Sequence, residues 1–146
     1  MIFRMINYEE LISQLGECCI TDCGICKKDE CLVGYCKQSL TSCLKQKDEF
    51  LDGGMEGIPY NDSKIYDNDS IINSLASLLL QCRNCNVYHD DECIINITRS
   101  SLEIILLGDY QDYKGSTLVY FNDLKSVNKE IADKVLASFQ QKKSAS

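Results

Sequence analysis

Cys93-Ile-Ile-Asn-Ile-Thr-Arg-Ser-Ser-Leu-Glu-Ile-Ile-Leu-Leu-Gly108 is the stretch on which the fold turns. Isoleucine, threonine and leucine dominate it, and β-branched residues fit a pleated, half-buried surface. On that basis Cys93–Thr98 and Leu102–Leu107 are two strands, and Ser116-Thr-Leu-Val-Tyr-Phe121 supplies a third, giving an antiparallel meander. A competing reading makes Leu102–Leu107 a short helix, capped by Ser100 or Ser101 and ended by Gly108, because periodicity cannot separate strand from helix over so short an apolar run. Arg99 and Glu103 stand at helical spacing and are expected at the surface, as an ion pair on that helix or as two strand residues facing solvent. The strand reading sets the expected fold class. It is α+β, with a metal-stapled helical N-terminal half, a small antiparallel sheet of two or three strands, and a C-terminal amphipathic helix.

The helical parts announce themselves on both sides of this stretch. Asn7-Tyr-Glu-Glu10 has capping-box spacing ahead of Leu11, Ile12 and Leu15, with Gly16 at the far end. Cys36, Leu40, Cys43 and Leu44 recur on one face of a helix from about Val33 to Lys47, where Cys43 reads as a small buried hydrophobe. Ile71, Leu75, Leu78, Leu79 and Cys82 mark a third helix, capped by Asp69 or Ser70 and expected at the centre of the packing. Val127, Ile131, Val135 and Phe139 define the last helix, which should fray in the polar tail after Phe139. Residues 48–68, with Gly53, Gly54, Gly57 and the only proline, Pro59, read as a solvated acidic loop. The organisation expected is one domain over residues 1–146: a Cys-rich helical subregion 1–47, the acidic loop 48–68, and residues 69–146 carrying helix, Cys/His knot, strands and C-terminal helix.

Charge narrows the partners. The net charge of −7 comes from the middle of the chain, since residues 48–80 hold one basic and seven acidic side chains while the flanking regions are nearly balanced. Neither cysteine-rich region has the basic excess that phosphate recognition requires, so nucleic acid is not an expected partner. No apolar run approaches the length of a membrane span, and Met1–Leu15 lacks the apolar core and cleavage site of a signal peptide. The chain is therefore expected to be cytoplasmic, where clustered thiols serve as ligands or redox groups more often than as cystines.

Ten cysteines fall into two knots separated by a cysteine-free stretch from Leu44 to Gln81. Cys82-x2-Cys85-x3-His89-x3-Cys93 offers three thiols and the only imidazole, the donor set of a tetrahedral structural zinc site. The order resembles that of the zinc knuckle, whose last two gaps hold four residues where this chain has three. The resemblance is confined to this segment. In the first knot, Cys23, Cys26, Cys31 and Cys36 are the candidate ligands, with Cys18 and Cys19 as alternates. Cys18-x4-Cys23-x2-Cys26 resembles the first three ligands of a plant-type ferredoxin, and Cys23-Gly-Ile-Cys26 resembles a thioredoxin-type dithiol, though no strand precedes it. Two Cys-x2-Cys hooks, Cys23/Cys26 and Cys82/Cys85, are also able to share one metal.

A single histidine and the absence of a phosphate-binding glycine loop leave no catalytic constellation. The expected protein is a small, non-enzymatic, cytosolic metal-binding protein that presents a surface to a protein partner or serves a regulatory task, with zinc as the favoured metal. The alternative is an iron-sulfur redox or sensor protein built on the N-terminal knot.

Overall fold

The computed structural model describes residues 7–18, 31–47, 50–60, 62, 66–81, 93–111 and 117–145. Six helices account for most of them: α1 (Tyr8–Gly16), α2 (Leu32–Gln46), α3 (Asn68–Gln81), α4 (Ile94–Leu107), α5 (Thr117–Val127) and α6 (Lys129–Ala145). No sheet exists among the described residues. The only β feature there is an isolated antiparallel bridge between Phe50 and Cys93, so the α+β expectation is overturned: the described residues form an all-helical fold.

The correction centres on residues 93–108. Cys93 is the N-cap of α4, in extended conformation, and Gly108 closes the helix at φ 87°, its N–H bonded to the Ile104 carbonyl at 2.9 Å. A positive φ suits glycine, which has no Cβ to clash. Every residue from Ile94 to Ile104 is buried. Asn96, Arg99, Ser100 and Glu103 recur at i, i+3, i+4 and i+7 on one side of this helix, a 3.6-residue pattern that the strand reading of its isoleucines passes over. Two of the buried hydroxyls are absorbed locally: Thr98 Oγ1 donates to the Ile94 carbonyl and Ser100 Oγ to that of Asn96, both at 2.7 Å. Tertiary burial thus overrides the strand preference of the isoleucines. The third expected strand is also helical, since 117–121 opens α5.

The remaining helices follow the sequence more closely. Asn7 Oδ1 accepts from the Glu10 N–H at 3.1 Å, forming half of the expected capping box of α1. The cap of α3 is Asp67 rather than Asp69 or Ser70: its carboxylate takes the Ser70 N–H and hydroxyl. At the other end of the chain, α6 continues through the polar tail to Ala145.

Packing links α1, α2, α4 and α3 into a closed circuit of neighbouring helices, and α6 lies along α3 with α5 folded against it. Phe121 and Phe139 hold α5 to α6 through an edge-on ring contact at 5.3 Å between centroids. Part of the acidic loop is docked on the helices at Gly54 and Ile58, which are buried. Residues 50–60 lie over α2 and α4, with Ile58 buried beside Leu32 and Ile104 and with Gly54 beneath Ile97. The approach requires glycine there, because a Cβ on Gly54 would stand 2.2 Å from Ile97 Cδ1.

Candidate functional site

Of the predicted ligands, Cys23, Cys26, Cys82, Cys85 and His89 lie outside the described residues. Cys31, Cys36 and Cys93 lie inside them, and the helices keep them apart in role.

Cys36 is a core thiol. It points from α2 into α4, its Sγ 3.7 Å from the Thr98 carbonyl, and it is fully buried. Burial pushes the thiol up to about 12, the Ser101 hydroxyl pulls the other way, and the neighbouring Cys18 and Cys31 sulfurs add to the rise. Cys18 and Cys43 are buried in the same core. For Cys43 this is the small-hydrophobe role its position in the helical stripe suggests.

Cys31 begins α2. Its sulfur accepts the Gly34 N–H at 3.4 Å and lies 2.9 Å from the Tyr66 hydroxyl, which in turn donates to Asp62. The same carboxylate takes the Leu32 N–H at 2.9 Å, placing an anion where the helix dipole favours one. Burial, then the hydrogen bonds to Asp62 and Cys31, raise the Tyr66 phenol far above its ordinary range and keep it protonated. This constellation caps α2 and fastens Asp62 and Tyr66 to it.

Cys93 stands at the opposite end of the α2–α4 pair. It is half-buried and bridged to Phe50, whose carbonyl lies 3.9 Å from Cys43 Sγ near the end of α2. Cys31 and Cys43 are separated along α2 by roughly 18 Å at the helical rise. The two cysteine-rich segments are therefore anchored at different ends of the helix pair.

The sequence underrated a second cluster. Arg99 and Glu103 are buried, 2 % and 0 % exposed, not at the surface. Glu103 Oε2 lies 2.6 Å from Arg99 Nη1 and 2.5 Å from the Tyr120 hydroxyl of α5, while Oε1 accepts the Gln111 N–H at 2.8 Å. The guanidinium also donates to Asn96 Oδ1 and to the Gln111 carbonyl, and sits 5.5 Å from the centroid of the Tyr120 ring. Desolvation raises the Glu103 carboxyl, against the opposing pull of Arg99, Tyr120 and the Gln111 N–H. Each buried charge is met by a partner, which is the chemistry of a structural tie. The signal that could have found it is the i, i+4 spacing of the two charges inside an otherwise apolar stretch.

Among the described residues no group of three or more His, Cys, Asp or Glu side chains is arranged to hold a metal ion, and no helix is long and apolar enough to cross a membrane. Compared with known protein families, curated proteins and solved structures, the chain matches none.

Proposed function

We propose that this is a non-enzymatic, cysteine-rich zinc protein whose Cys82, Cys85, His89 and Cys93 hold the metal and whose task, in a reducing cytoplasm, is to present a helical surface to a protein partner. The observation that supports it is how the ends of this segment are held. Gln81 at the end of α3 accepts the Asn7 N–H at 2.6 Å, Cys93 is both the N-cap of α4 and the partner of Phe50, and α3 packs directly on α4. Donors confined between two docked helices give up less chain entropy on meeting a cation than donors on a free tail. At Cys93 the α4 dipole also favours the thiolate that zinc needs. The different anchorage of the two segments supports a zinc site of its own for the second knot, in preference to one shared with Cys23 and Cys26.

The test is anaerobic purification followed by metal analysis and a visible spectrum. Colourless protein with near-stoichiometric zinc is expected. Brown protein carrying iron and acid-labile sulfide would replace this reading with the iron-sulfur one, and metal-free protein with slowly reacting thiols would end both.

A further inference from the structure

Tyr60 and Tyr110 come from distant parts of the chain, yet their ring centroids are 6.4 Å apart with the planes inclined at 50°. Both are open to solvent, 47 % and 42 % exposed. Asp109 lies beside them, its carboxylate fixed by the Tyr110 N–H at 2.8 Å and close enough to act on the Tyr60 hydroxyl. Two inclined aromatic rings with a carboxylate at their edge attract a large, weakly hydrated cation, which both rings can contact within about 6 Å of their centroids. The Asp109 carboxylate gives such a cation electrostatic complementarity and disfavours anionic occupants.

We infer that Tyr60, Tyr110 and Asp109 form a recognition site for a methylated-lysine side chain of a partner polypeptide. The inference rests on the protein-partner half of the function proposed above and is independent of the metal. The rings supply attraction to the cation, and Asp109 supplies its countercharge.

Three versions of one short peptide test it against the intact protein: trimethyllysine, unmodified lysine, and an uncharged isostere in which tert-butyl replaces trimethylammonium. Binding is followed by the NMR signals of the tyrosine rings. The trimethyllysine peptide is expected to bind about five- to thirtyfold more tightly than the isostere, to bind more tightly than unmodified lysine, and to shift the Tyr60 and Tyr110 rings. Tyr110→Phe should retain the preference and Tyr110→Leu should lose it, with the helical circular dichroism signal unchanged in both. Equal affinity for the isostere would make the contact merely apolar, and equal affinity for lysine would make it general charge attraction; either overturns the inference. So does shifting of other rings alone, or full binding by Tyr110→Leu. None of these outcomes touches the zinc reading, which metal content decides.

Discussion

Glu103 on α4 and Tyr120 on α5 meet through a 2.5 Å hydrogen bond between two side chains that are almost wholly buried. Because the same carboxylate oxygen neutralises Arg99, the two possible losses at this point differ in size. Tyr120→Phe removes one donor and leaves the ion pair intact, and is expected to cost about 1–2 kcal/mol in urea unfolding. Glu103→Leu strands a buried guanidinium and is expected to cost roughly 3–5 kcal/mol. Replacing Arg99 with Met in the Glu103→Leu background should recover much of that loss, since no uncompensated charge then remains.

Gly54 and Ile97 give a prediction of shape. Gly54→Ala drives a Cβ into Ile97 Cδ1, and overpacking of this kind costs about 1–3 kcal/mol. Ile97→Val deletes that methyl group. The double variant should therefore be more stable than the sum of its single effects, a difference that a double-mutant cycle by denaturant unfolding measures directly.

Cys36 predicts an alkaline weakness. Its thiol is raised from 9.0 to about 12 in the folded protein, so the unfolded chain releases this proton first. The group's contribution is complete below pH 9 and is lost as the pH climbs towards 12, at up to about 1.4 kcal/mol per pH unit. In thermal unfolding followed across that window, Cys36→Ala should start less stable than wild type, and the gap should narrow as pH rises.

For the metal, His89→Ala is expected to lower zinc retention under a competing chelator, whereas Cys43→Ser should leave zinc content unchanged. Cys43 is 1 % exposed within the apolar core, so its substitution should register in the melting temperature instead.

The legibility of the sequence depended on how strand-favouring residues were weighed against helical spacing. α1, α2 and α3 could be read because apolar and polar positions segregate along Leu11–Leu15, Cys36–Cys43 and Ile71–Leu79. α4 was read as strands because its isoleucines and Thr98 favour a pleat, although Asn96, Arg99, Ser100 and Glu103 recur on one helical face, where Asn96, Arg99 and Glu103 bond one another. Residues 117–121 failed for a related reason: Tyr120 and Phe121 are buried while Leu118 is 80 % exposed, which obscures the amphipathic pattern. Of the candidate ligands, Cys36 illustrates the limit of spacing arguments. Its position four residues before Leu40 fits a helical core stripe as readily as a ligand set, and burial placed it in the core. Arg99 and Glu103 were visible as a pair, but their depth was not, because depth depends on partners as remote as Tyr120.

A helix without a solvent face has to be assembled rather than added. α4 gathers Met55 and Gly54 from the preceding loop, Cys36 from α2, Gln111 from the following turn and Tyr120 from α5, so its burial is complete only after segments from well before and well after it have arrived. Non-local closure of this kind slows folding relative to a bundle built from adjacent hairpins. It also makes amide exchange in α4 a sensitive gauge of the whole: protection there should collapse together when any one of these neighbours detaches.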